Sequence, residues 1–141
     1  MAATAFEGLI AHVVDLLLGS LTAANDRVYR DLADALSIDD APALVVTRGA
    51  TSQDDPTPIG DAPTYRMEFT LACVTVGGDT WATAADALHQ AAHDALASDA
   101  TLRQADIELL GTDSTVRAGD VTVGAITANY IVTVQPDADL T

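Results

Sequence analysis

The chain has 141 residues, 49% of them apolar and only 4% aromatic, and its 21 acidic and 6 basic residues leave a formal charge of −15. That size and apolar content fit one domain with its own core rather than a disordered acidic chain. The charge excludes broad phosphate contact with nucleic acid, and the lack of any Lys excludes a Lys-bearing phosphate loop or a Schiff-base nucleophile.

Phe6, Leu9, Ile10, Val13, Leu16, Leu17 and Leu21 recur at spacings of three and four. This predicts an amphipathic helix over roughly 4–18, ending near Gly19. His12 and Asp15 interrupt its apolar run and no basic residue precedes it, so it reads as neither a signal peptide nor a membrane span. The chain therefore reads as soluble and cytoplasmic. Residues 26–38 admit two readings: Val28, Leu32, Ala35 and Leu36 are helix-spaced, while Arg27, Val28 and Tyr29 suit a short edge strand.

After Pro42, the β-branched run 43–48 predicts a buried strand. Residues 49–64 hold Pro56, Pro58 and Pro63 and no usable period, which predicts a long exposed loop. Tyr65, Met67, Phe69, Leu71 and Cys73 then alternate with more polar neighbours, the mark of a strand with one buried face. Val74 and Val76 place apolar groups on its other face, so its far end is expected to be covered on both sides.

Gly77 and Gly78 break the strand, and Asp79 or Thr80 can cap a helix running to about Ser98. Trp81, Ala84, Ala85, Leu88, Ala92, Ala95 and Leu96 form its apolar stripe. Ile107 and Leu109 mark a strand over 106–110, a polar stretch follows at Gly111 to Ser114, and Val116 and Arg117 read as a strand end before a turn. A last strand runs from Val121 to Val134. Its apolar phase switches between Ala125 and Ile126, which predicts an irregularity near Gly124 to Ile126. The tail from Gln135 reads as acidic and frayed, leaving one domain over 1–135 and loose residues at 136–141. The fold class expected is α+β: a single mixed or mostly antiparallel sheet, two main helices packed on it, and the loop at 49–64.

Candidate chemistry is sparse. His89 and His93 stand at i and i+4, but Gln90 occupies the place where a zinc protease needs its general-base Glu, and no third ligand has a suitable spacing. They read as part of a solvated polar face, where replacement by Ala would cost under about 0.5 kcal/mol. Asp39–Asp40 and Asp54–Asp55 lack the spacing of a calcium loop. The lone Cys73 permits no internal disulfide and alternates onto the buried face of its strand, as a small core residue would. No Ser lies in a nucleophile elbow, so no catalytic residue, cofactor or metal is expected.

The order of elements resembles the tail terminator proteins of long-tailed phages, the minor tail protein U type. The features that carry it are Arg27–Val28–Tyr29, the run Ala41 to Val46, the alternating strand Tyr65 to Val76 after a long loop, and the helix opening at Thr80–Trp81. A link over Ser98 to Leu102, a variable strand pair and a last strand ending in Tyr130 to Val134 complete it, over about residues 5–135. The resemblance implies a small non-enzymatic α/β protein that assembles as a hexameric ring. Such a ring caps the tail tube, stops its polymerisation and offers the head a docking surface. It also implies the partners: further copies of itself, the tail tube protein and head–tail connector proteins, with no membrane and no specific nucleic acid. The expected places are the host cytoplasm during assembly and then the virion. Two other readings stay open, a related head–tail completion protein and a small hydrolase. In the terminator reading, Arg48, Arg66 and Arg117 are candidates to pair with a neighbour's carboxylates. Asp54, Asp55 and Ile59 would belong to a docking arm over 49–64.

Overall fold

A computed structural model describes residues 5–19, 28–30, 42–53, 65–77, 80–117 and 122–134. In chain order the elements are α1 (Ala5–Gly19), β1 (Val28–Arg30), β2 (Ala43–Gln53), β3 (Tyr65–Val76), α2 (Trp81–Ser98), α3 (Ala100–Gln104), β4 (Glu108–Arg117) and β5 (Val123–Val134). The strands form one five-stranded sheet in the order β1-β2-β3-β5-β4. Among the described strands only the β1–β2 pair is parallel; the other three pairings are antiparallel. The α+β architecture with a mixed sheet and two main helices is therefore as the periodicities predicted.

Alternation along the strands sorts the side chains onto two faces. Leu44 and Val46 of β2, Met67, Phe69, Leu71 and Cys73 of β3, and Ala128, Tyr130 and Val132 of β5 point to one side. There they join Leu9, Ile10, Val13 and Leu17 of α1 and Leu88, Ala92 and Leu96 of α2 in the main core. Each such large apolar side chain removed from water contributes about 1.5–3 kcal/mol, so this layer holds the helices to the sheet. Opposite it, Ala43, Val45, Ala72, Val74 and Ala125 make a smaller buried cluster. Both faces of the sheet's far end are thus buried, as Val74 suggested, although Val76 is itself exposed.

Four boundaries differ from the sequence reading, each for a local reason. First, β2 continues to Gln53, so residues 49–53 are strand rather than loop. A bulge between Arg48 and Thr51 lets it resume pairing with Met67, Arg66 and Tyr65. The remainder of the predicted loop, 54–64, lies outside the described residues, as do 31–41 and the tail from 135.

Second, the polar stretch Gly111 to Ser114 is not a break. It belongs to one strand, β4, at the sheet edge, where Glu108 to Val116 are all exposed and a polar stretch costs nothing. Third, β5 pairs with β3 without interruption from Val134 to Val123, so the irregularity expected near Gly124 to Ile126 is absent. The switch in apolar phase reflects cover instead: Val123 and Ala125 serve the small cluster, while Ala128, Tyr130 and Val132 serve the main one. Gly124 has its own role there. A Cβ at that position would stand 2.1 Å from Cε3 of Trp81, so the glycine is the seat of the indole.

Fourth, the segment read as a link after Ser98 contains the short helix α3. Asp99 caps it, accepting a hydrogen bond from the Leu102 amide at 3.0 Å. Of the two readings of 26–38, the strand holds for Val28–Arg30.

Candidate functional site

Three polar arrangements stand out, and the first overturns an expectation. His89 and His93 do not form a solvated face. They turn inward, and Oη of Tyr130 lies 2.9 Å from Nε2 of His89 and 2.9 Å from Nδ1 of His93. The i, i+4 spacing on α2 brings both rings over β5, where Tyr130 is 1% exposed and stacked on Phe69 at 5.3 Å. A hydroxyl carries one proton, so Tyr130 donates to one imidazole and accepts from the N–H of the other. Burial, and secondarily Cys73, pushes the phenol upward from its ordinary pKa, so it stays protonated. Burial lowers His89 and the nearby His93 lowers it further, against a smaller opposing pull from Asp86. The cluster satisfies a buried hydroxyl. Among the described residues no three His, Cys, Asp or Glu side chains gather as a metal site. Cys73 is buried, its thiol pushed up to about 12 by that burial, which suits a core residue and not a nucleophile.

The second arrangement ties α1 to the sheet. Glu7 accepts hydrogen bonds from Arg30 of β1 and Arg48 of β2. Those guanidiniums, Arg30 first, hold its carboxyl below the usual range. Arg48 also lies 5.4 Å over the ring of Phe6. Nearby in sequence, His12 meets Asp99 at 2.8 Å and so fastens α1 to the cap of α3. Burial works to raise Asp99, but His12 and the amides of Leu102 and Thr101 together outweigh it and lower its pKa.

The third arrangement lies on the sheet face away from the helices. A shallow trough of about 460 Å³ crosses β2, β3, β5 and β4. Gly49, Glu68, Thr70, Asn129, Gly111 and Asp113 are among the residues that line it. Glu68 and Asp113 make it acidic.

The structure does not bring the sequence-predicted contact residues together. Arg48 pairs with Phe69 in the register and faces the helices, whereas Arg66 pairs with Thr133 and faces away from them. Arg117 ends β4 opposite Val123. Thr133 and Val123 stand ten residues apart on β5, so Arg66 and Arg117 lie about 33 Å apart along the sheet. Asp54, Asp55 and Ile59 fall outside the described residues. The sequence reading missed the roles of Glu7 and Tyr130. The spacing of His89 and His93 was the available signal, but nothing local in the sequence shows which strand residue α2 will cover.

No family model matches the chain, and no curated protein matches it. Among solved structures it is similar to a chain of "Virion of native gene transfer agent (GTA) particle". The identity is 16% and the TM-score 0.47, over 94% of this chain and 100% of that one.

Proposed function

We propose that this chain is a structural component of a tailed virion, acting as a tail terminator. Its copies close into a ring of six that caps the tail tube, stops further polymerisation and presents a surface to the head. The partners in this reading are other copies, the tail tube protein and head–tail connector proteins. Assembly takes place in the host cytoplasm, after which the protein stays at the head-proximal end of the tail.

The observation that supports the reading is the order of elements. Helix, edge strand, strand after Pro42, alternating strand, helix opening at Trp81 and last strand come in the order that the terminator resemblance implies, while its link contains α3 and the single strand β4 stands where it has a strand pair. The −15 charge suits a ring through which DNA passes without adhering, because acidic walls repel phosphate. Arg66 and Arg117 are proposed contacts to a neighbour's carboxylates. Arg48 contributes by holding α1, through Glu7, against β2. Asp54, Asp55 and Ile59 are proposed to sit in an arm that touches the neighbour or the tube.

Native mass spectrometry with negative-stain microscopy tests the reading, joined to a tube-growth assay with the tail tube protein. The expected result is a closed ring that arrests tube growth. A monomer at every salt and protein concentration overturns it, as does a ring that leaves tube growth unchanged; the latter outcome points to a head–tail completion protein.

A further inference from the structure

The helix-free face of the sheet changes character along its length. On β3, Arg66 and Glu68 are exposed and Thr70 is half-buried, whereas Ala72 and Val74 are buried. Beside them Ala43 is 0% exposed, Val45 2% and Ala125 1%. Side chains stand out from a sheet, so a valine on a bare face keeps part of its surface in water, and something covers this end. A single chain suffices to bury these residues, so the cover is part of that chain. The described helices do not supply it, because α1, α2 and Leu102 of α3 pack into the main core on the other face.

Handedness names the segment. β3 and β4 both run antiparallel to β5, hence parallel to each other, and α2 and α3 connect them across the helix-bearing face. β1 and β2 are also parallel, and residues 31–42 join them. Crossovers between parallel strands of one sheet are nearly always right-handed. Seen from the helix side with β3 pointing up, a right-handed step to β4 puts β4 on the right, with β2 and then β1 on the left. β1 and β2 point down in that view, so a right-handed step from β1 to β2 passes behind the sheet. The front is also occupied: α1 lies there, with Glu7 bonded to Arg30 of β1 and Arg48 of β2.

Length and position agree. The twelve residues between Arg30 and Ala43 are the size of a crossover, and they return from the level of Val46 to that of Ala43, past Tyr29 and Val45 of the small cluster. Leu32, Ala35 and Leu36 stand at i, i+3 and i+4, with Asp31 and Asp34 off that stripe. Two other segments fail on reach. Residues 54–64 and 135–141 start beside Tyr65, nine residues or about 30 Å from Val74. A loop over 54–64 that must return to its start extends about 20 Å, and a tail of 135–141 at most about 25 Å. We infer that residues 31–41 cross the helix-free face and cover the small cluster, with Leu32 and Leu36 set against Val45 and Val74. What this face leaves open to a partner is then its acidic half, around Glu68 and Asp113. The inference is independent of the terminator reading.

The test is a measurement of methyl–methyl contacts by NMR on the full chain, labelled at Leu and Val and diluted into excess unlabelled chain so that only contacts within one molecule are read. The expected result is contact from Leu32 or Leu36 to Val45 or Val74. Contact from Leu32 and Leu36 to Leu9 or Val13 of α1 instead places the crossover on the helix side and overturns the inference. Contact to Val45 and Val74 from Leu21 alone overturns it as well, and makes the α1–β1 connection the cover. So does a spectrum in which Leu32 and Leu36 touch neither face. A second measurement reads the energetics: Leu36→Ala raises the unfolding constant at least about tenfold, and by a smaller factor once Val45 is also replaced by Ala. Where Leu36→Ala does not fold, the wild-type contacts decide. Neither readout depends on whether the protein forms a ring.

Discussion

The hydroxyl of Tyr130 shows how one buried polar atom fixes the meaning of two residues elsewhere. Left without His89 and His93, it would be an unsatisfied group in the core, which costs about 1–3 kcal/mol. His89→Ala is therefore expected to lower stability by about 1–2 kcal/mol rather than leave it unchanged, as read by chemical denaturation at pH 7.5. The pH dependence follows from the direction of the shift. His89 is lowered in the folded state, so the unfolded chain binds the proton more readily. Stability is complete above the ordinary value near 6.5 and falls as the pH drops below it, until the folded pKa is passed. Denaturation midpoints between pH 7.5 and 5.5 should decline in the wild type, and the decline should shrink in His89→Gln. An unchanged slope in that variant would remove His89 from the account.

Among the elements, α2 is seated by a ring on a glycine. Trp81 opens the helix against Gly124, and Thr75, buried on β3, donates to the Trp81 carbonyl at 2.7 Å. Gly124→Ala puts a methyl inside the indole, with an expected loss of about 1–3 kcal/mol. Pairing it with Trp81→Ala should recover part of that loss, a coupling that a double-mutant cycle measures directly. Helix α1 is held in a different way, by its apolar stripe and by the Glu7 contacts. Its ion pairs are about one-third exposed, so Glu7→Gln is expected to cost under about 1 kcal/mol and to cost less in high salt. Because the Glu7 carboxyl is lowered, that contribution is present above about 4.5 and disappears as the pH falls through the folded value.

Much of this was legible from spacing alone. The stripes of α1 and α2 and the alternation of Tyr65 to Cys73 record burial on one face, and burial leaves a period. The edge strand left no such record, since every position from Glu108 to Val116 is exposed and nothing selects apolar residues at alternate sites. The candidate site was less legible still. Glu7 meets Arg48 across 41 residues, and His89 meets Tyr130 across the same separation. Such contacts depend on the register between elements, which one-dimensional pattern does not carry.

At the scale of the molecule, the proposed arm can be separated from the fold it would extend. Residues 51–53 belong to β2 and pair with 65–67, so a shortened chain must keep them. Replacing 54–64 by a short Gly-Ser turn should preserve the sheet and its melting temperature, while ring formation or tube capping is lost. If the shortened protein still assembles and still stops tube growth, the segment is a passive insertion. Salt provides a second handle. General repulsion between copies of −15 is screened as ionic strength rises, so association should strengthen; a seam that relied on Arg66 or Arg117 pairs would weaken instead.

The sheet order carries a last consequence, for synthesis. The last strand in the chain, β5, lies between β3 and β4, and its residues pair with β3 partners 47 to 69 positions earlier. Until it emerges from the ribosome, β3 has one side unpaired, Gly124 is not there to receive Trp81, and Tyr130 cannot meet the two imidazoles. The nascent chain therefore waits, with α1, β2 and β3 made but the strand between β3 and β4 missing, and closes late through contacts of long sequence separation. A chain stopped before Val123 lacks the strand that joins β3 to β4 and cannot hold β4 in place. Only molecules translated through β5 can hold β4 in the sheet, so completion of the chain and completion of the fold coincide.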